Sequence, residues 1–237
     1  GLWTHHQKVV ICDGAVNAQD GSERRALVAF LGGLDLTDGR YDYPEHPLFR
    51  TIGTVHKEPD FYQNCWGTTS SEYGPRQPWH DVHLRVEGPA AFDVLQNFEE
   101  RWKKQVADEV DALYQLPNFF VSREEEKVRF ADDPDRFTCQ VFRSIDERSA
   151  QFEVSMPGAF PKKGRAVEAT IHRAYCHQIR RAQRYIYIEN QYFMGSSHGW
   201  LKHAGDTTLQ IIPLEIVQKI ISKIKSKERF CAYIAIP

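Results

Sequence analysis

The sequence predicts an α/β protein, a layered mixed sheet flanked by helices. Three observations carry that expectation. Short apolar runs rich in β-branched and aromatic residues occur at 8–12, 26–31, 185–189 and 230–236, each bounded by turn formers or charges. Helical spacing of apolar residues runs through 90–105, 167–183 and 213–226. The order helix, strand, loop, helix, strand over 167–236 implies parallel pairing within one sheet.

The elements follow in order. Lys8-Val-Val-Ile-Cys12 reads as a buried strand, and Asp13 to Glu23 has the Gly, Asn, Asp and Ser content of a turn. Ala26-Leu-Val-Ala-Phe-Leu31 is a second strand, closed by Gly32-Gly33. Residues 34–78 are rich in Gly, Pro, Asp and aromatics without periodicity, and a stretch of that length is either functional or mobile. Residues 81–87 alternate strictly, with Val82, Leu84 and Val86 on one face and Asp81, His83, Arg85 and Glu87 on the other. Gly88-Pro89 opens a helix whose core face is expected to hold Phe92, Leu95, Phe98 or Glu99, and Trp102. Ten of the fifteen residues in 122–136 are charged, so this stretch reads as a solvated loop or insertion. Val167, Ile171, Ala174, Tyr175, Gln178 and Ile179 then mark a helix, Tyr185–Glu189 a strand, and Leu214, Val217, Ile220, Ile221 and Ile224 one face of a helix opened by Pro213. Lys219, Lys223, Lys225, Lys227 and Arg229 read as a solvated helix face. The expected organisation is one unit over 1–146, with an insertion at 106–136, and a second over 147–237.

Composition narrows the function classes. The 237 residues carry 30 Lys+Arg against 32 Asp+Glu, a net charge of −2, which excludes the overall basic balance of a nucleic-acid-binding domain. The longest nearly apolar run, Ala26 to Leu34, falls far short of the ~20 residues that span a bilayer as a helix. Five cysteines at 12, 65, 139, 176 and 231 form no CxxC pair, which argues against a disulfide framework or a cysteine zinc site and for a reducing compartment. A start at Gly1 and a stop after the apolar run 230–236 lead to the expectation of a piece of a longer protein.

The sharpest chemical feature is His6-x-Lys8-x4-Asp13. On an extended strand His6 and Lys8 project from one face. A neutral imidazole is a competent nucleophile near neutral pH, and a lysine two residues on neutralises phosphate oxygens as a point charge. A nearby acid holds the ring or the lysine in place. That trio suits attack on a phosphodiester. His5-His6 has no third ligand at helical or hairpin spacing, so zinc is not expected.

Further islands accompany this motif: Gly32-Gly-Leu-Asp-Leu-Thr-Asp-Gly-Arg-Tyr-Asp42, His46-Pro-Leu-Phe-Arg50, Pro75-Arg-Gln-Pro-Trp-His-Asp81, Glu87-Gly-Pro-Ala-Ala91, Phe98-Glu-Glu-Arg-Trp102, Phe142-Arg-Ser-Ile-Asp146 and Ile186-Tyr-Ile-Glu-Asn-Gln-Tyr-Phe193. Together they resemble the phospholipase D superfamily, specifically its plant phosphatidylcholine-hydrolysing branch. The resemblance is least over 107–136 and 147–166. It implies the first half of a pseudo-symmetric catalytic region that carries two His-x-Lys-x4-Asp motifs, together with the start of the second half. One histidine forms a phosphohistidine and the other protonates the leaving alcohol. His6 matches the nucleophile, Lys8 the phosphate-binding lysine and Asp13 the supporting acid. Asp35 matches a polar residue near the phosphate, and His80, Asp81, Glu189 and Gln191 are expected to line or support the site. No second His-x-Lys-x4-Asp occurs in this sequence. The resemblance also implies calcium dependence, though the metal ligands are unknown. It implies a phospholipid substrate at a membrane surface, a cytoplasmic and peripherally membrane-associated location, and no nucleic-acid partner. A second catalytic half and a C2 domain would be absent from these residues. Two rival readings are a one-motif phosphodiesterase or nuclease completed by homodimerisation, and a non-catalytic lipid-binding module.

Overall fold

The computed structural model describes residues 5–17, 23–37, 40, 42–55, 76, 79–152, 159–162, 165–195 and 210–236. The expected tip of the first turn at 18–22, most of the irregular stretch at 56–75, and the loop at 196–209 lie outside the described residues. The protein is a mixed α/β chain of two compact units, one comprising 1–102 with 106–141 and the other 103–105 with 142–237.

The first unit is organised by a three-stranded antiparallel sheet in the order β1-β2-β3, formed by Lys8–Asn17, Glu23–Gly32 and His83–Val86. Ala26 to Ala29 are each at most 5% exposed. Burial on both faces is what a central strand requires, and it explains why this run is continuously apolar rather than alternating. β1 continues five residues beyond the expected strand, so Asp13 to Asn17 are not a turn. A continuous register from Lys8 opposite Gly32 to Asn17 opposite Glu23 holds them extended against the turn preferences of Asp13, Gly14 and Asn17.

Helix α1, Pro89–Gln105, lies on one face of this sheet. Its first turn has Pro in place, and Gly88 supplies the positive φ of its N-cap. The buried line is Ala91, Val94, Asn97 and Glu100, with Phe92 and Leu95 packed at its edge and Phe98 exposed. This shifts the core face from the one expected. Small Ala91 and Val94 let the helix come down onto Leu27 and Ala29, and the larger side chains flank that contact. Burying a Leu or Val side chain here contributes roughly 1.5–3 kcal/mol. The alternation expected for 81–87 also shifts: only Val86 of its apolar set is buried, because β3 is a short edge strand with Val82 and Leu84 exposed.

Residues 122–136 are not all loop. Arg123–Arg129 form α2, capped by a reciprocal bond set between Ser122 and Glu125. Arg24 of β2 grips the same Glu125 at 2.7 and 2.9 Å, and Glu126 is buried against Arg129. High charge density here serves specific pairs rather than solvation alone.

The second unit holds an antiparallel sheet of order β4-β6-β5 from Ser144–Asp146, Ala159–Lys162 and Arg165–Ala169. The helix expected to begin at Val167 starts later. Pairing on both sides keeps 165–169 extended, so Val167 belongs to β6 and helix α3 covers Thr170–Arg181. Strand β7, Tyr185–Glu189, helix α4, Ile212–Lys225, and strand β8, Cys231–Ala235, match expectation, with β7 and β8 parallel and adjacent. Ile179, Ile186, Ile188 and Ile216 form the core between the strands and the two helices. The lysine-rich helix face is partly structural: Lys219 donates to the Arg180 carbonyl, and buried Lys223 pairs with Glu228.

Packing at the end of β2 leaves no room for a side chain. A Cβ on Gly32 would fall 2.3 Å from the Val82 carbonyl oxygen and 2.7 Å from His83 Nδ1. Gly32→Ala is therefore expected to destabilise the first unit by about 1–3 kcal/mol, because backbone must move. Gly33→Ala meets only the Asp81 side chain and is expected to be milder. Urea unfolding of both variants checks the order; equal losses would contradict it.

Candidate active site

The register of the first sheet decides which side chains meet. Val9, Ile11 and Asp13 share the face that packs on α1, while His6, Lys8, Val10 and Cys12 share the other. Lys8 lies opposite Gly32, and Gly32 lies opposite His83. The row Lys8–Gly32–His83 thus crosses three strands, and the Val82 carbonyl and His83 Nδ1 fill the place of a Gly32 side chain.

On that face Lys8 Nζ lies 2.5 Å from His6 Nε2 and 3.1 Å from Asp35 Oδ1. An ammonium has only donors, so Nε2 is the acceptor in this contact and carries the lone pair. Arg40 Nε sits 3.5 Å from the other Asp35 oxygen, and its guanidinium lies over the Trp79 ring, 4.1 Å from the centroid. Burial pushes the Asp35 carboxyl up, but the Lys8 hydrogen bond and the Lys8 and Arg40 charges outweigh it and hold the group below the usual carboxylate range.

A second hub adjoins the first. The Asp42 side chain is only 6% exposed and that of Arg76 is fully buried. Asp42 accepts from Arg76 Nη1 at 2.8 Å, from His46 Nδ1 at 2.8 Å, and from the Tyr43 and Trp79 amides at 2.8 and 3.1 Å. Burial raises its pKa, yet these hydrogen bonds prevail and hold it well below the ordinary value. Arg76 also ties this loop to itself through the Pro47 carbonyl and its own amide bond to the Leu48 carbonyl. The His46 and His80 rings meet edge to face at 6.1 Å. An unbroken chain of contacts therefore runs from His6 through Lys8, Asp35, Arg40 and Trp79 to Asp42, His46 and His80.

Of the residues singled out by the sequence, His6, Lys8 and Asp35 are brought together. His80 and Asp81 belong to the adjoining stretch, with Asp81 lying against Gly33 and His80 against His46. Asp13 is not brought to the pair. It lies five strand residues beyond Lys8 at ~3.4 Å each, and it points to the opposite face. There it accepts from Arg25 Nε at 2.6 Å, which lowers its pKa. Asp35 occupies the place beside Lys8 that the spacing assigns to Asp13. Glu189 and Gln191 lie in the second unit, where Glu189 accepts from the Tyr187 hydroxyl at 2.8 Å. His5 is turned away from the His6 face, and its Nε2 is buried without a partner among the described residues.

Arg40, Asp42 and Arg76 escape sequence reasoning. The Asp42–His46 spacing of four is a visible signal; nothing local marks Arg76, which reaches its partner across 34 residues.

An imidazole, a lysine in contact with it, and a second cation beside the same carboxylate form an arrangement that can bind an anion. The family model described as Phospholipase D matches residues 1–237, and the chain belongs to that family. It is 44% identical over its whole length to "Phospholipase D alpha 1" of Vigna unguiculata and to that of Zea mays, and covers 30% of each. It is 43% identical to "Phospholipase D beta 1" of Arabidopsis thaliana, covering 23% of it. The chain thus spans less than a third of the length of these relatives.

The Asp42 hub gives a pH test. Because the folded carboxyl sits below its usual value, the stability it contributes is complete above about pH 4 and drains away as the pH falls below that. Asp42→Asn is expected to lower stability near neutrality and to flatten the acid limb of the urea midpoint below about pH 4. An acid limb as steep as that of the wild type would contradict the assignment.

Proposed function

We propose that these residues supply the nucleophilic half of a phospholipase D-type phosphodiesterase acting on phosphatidylcholine at a membrane surface. The observation that supports this reading is that Lys8, at the start of β1, contacts both His6 and Asp35.

Lys8 holds the Nε2 lone pair of His6 until a phosphodiester enters. Transfer of the ammonium from Nε2 to a non-bridging oxygen frees the nucleophile and neutralises charge that grows on the phosphate in the transition state. Nε2 then forms the bond to phosphorus as the bond from phosphorus to the choline oxygen breaks, and that oxygen takes a proton from the histidine of the second motif that the resemblance implies. The same histidine then takes a proton from water, whose oxygen attacks phosphorus while the phosphorus–Nε2 bond breaks, which frees His6 and yields phosphatidic acid; a primary alcohol in place of water yields the transphosphatidylation product. Asp35 keeps Lys8 on the His6 side of its range, the work that spacing assigns to Asp13, whose bond to Arg25 fastens the hairpin.

Calcium dependence is the further expectation from the family. Calcium takes six to eight oxygen ligands. Among the described residues no group of three or more His, Cys, Asp or Glu is placed to hold a metal, and both Asp35 and Asp42 are turned to cations. The described residues do not fit a calcium site, and the steps above use none. No described helix is long and apolar enough to cross a membrane. The proposed location is cytoplasmic, with peripheral attachment to phospholipid.

In an active enzyme containing these residues, His6→Asn is expected to abolish choline release and Lys8→Ala to cripple it. His5→Asn, altering a side chain on the opposite face, is expected to change stability rather than turnover. Equal loss of activity in both folded histidine variants would overturn the assignment. The 237-residue chain alone carries one His-x-Lys-x4-Asp and no partner histidine of a second motif. A general acid is typically worth ~10²–10⁴ in rate, so choline release by the isolated monomer is expected to be slower by that factor or more. Robust release by the monomer would contradict the two-motif reading.

A further inference from the structure

Arg40 is an under-used cation. Its side chain is about a quarter exposed, and its described side-chain contacts are the loose 3.5 Å approach to Asp35 and the face of Trp79. A guanidinium stacked on an aromatic ring keeps its donors in plane, so stacking fixes the plane without consuming an N–H. Neither Nη atom of Arg40 has a partner among the described residues. The backbone beneath this ring is held in place, because the Trp79 amide donates to Asp42 of the buried Asp42–Arg76 pair.

The charges around Asp35 point the same way. Lys8 and Arg40 flank one carboxylate, which leaves a net single positive charge beside His6. A phosphodiester is a single negative charge with two non-bridging oxygens, and two cations on either side of Asp35 can each take one. The planar fork of Arg suits this better than another lysine would. We infer that Arg40 is a second phosphate-binding residue, held ready by Asp35 and the Trp79 face, and that it engages the diester together with Lys8. This rests on the phosphodiester reading of the His6–Lys8 site and adds a residue that neither the motif nor its spacing indicates.

The test is a titration of dimethyl phosphate into the 237-residue chain and its variants, followed by ¹⁵N NMR of the arginine Nε–H and tryptophan Nε1–H signals. In the wild type, the Arg40 Nε–H and Trp79 Nε1–H signals are expected to shift together along one binding curve. Arg40→Gln is expected to weaken binding about tenfold, the loss of one charge-assisted contact. Arg40→Lys should recover only part of that. Should Arg40→Gln fail to fold, the Arg40→Lys and wild-type signals still decide the matter. Unchanged affinity in the arginine variants, with loss in Lys8→Ala, would overturn the role of Arg40 alone. Unchanged affinity in Lys8→Ala would instead overturn the phosphodiester reading.

Discussion

The carboxylate of Asp42 holds together the part of the first unit that lacks regular secondary structure. The described residues between 34 and 55, and those at 79–82, belong to no α-helix and no strand that could support them. Their order comes from one nearly buried acid that accepts four hydrogen bonds, two of them from a buried guanidinium and an imidazole. A buried ion pair is not in itself a source of net stability, since desolvation offsets much of the attraction. What it provides here is specificity: remove either partner and a charge is stranded in a site that cannot solvate it. Through the Trp79 amide that constraint passes to the indole, from the indole to Arg40, and from Arg40 to Asp35.

The second constraint is the two-residue period of a strand. His6 lies two residues before Lys8 and meets it; Asp13 is on the other face because its separation of five from Lys8 along β1 is odd. The same parity that makes the first pair work removes the third member of the trio from it. Gly32 completes the arrangement because the Val82 carbonyl and His83 Nδ1 take the place of its side chain, as the Asp81 carboxylate does at Gly33. Two adjacent glycines at a strand end, which sequence alone reads as a tight turn, are there because other atoms occupy the space of their side chains.

How much of this is legible in the sequence depends on where each signal resides. The strands at 26–31 and 185–189 and the helix opened by Pro89 are readable because burial imposes a local period. Asp13 to Asn17 are not, since their preferences are for turns and only pairing with β2 overrides them. Val167 misleads for the related reason that its spacing fits a helix while two neighbouring strands hold it extended. Ser122 and Glu125 carry a readable capping signature inside a run whose charge density suggests solvation. In the site, His6, Lys8 and Asp35 can be proposed from spacing and family resemblance. Arg40, Asp42 and Arg76 act through partners in other segments of an aperiodic stretch, and no local pattern encodes such partners.

The central claim is that the bond to phosphorus forms at His6. It is tested most directly by rapid quenching of an active enzyme containing these residues during turnover of phosphatidylcholine, with mass-spectrometric mapping of the phospho-linked peptide. The account predicts a modified peptide spanning His6, with the adduct on that residue and absent from His5. An adduct found only on a histidine outside these 237 residues would contradict it and assign His6 the proton-transfer role instead.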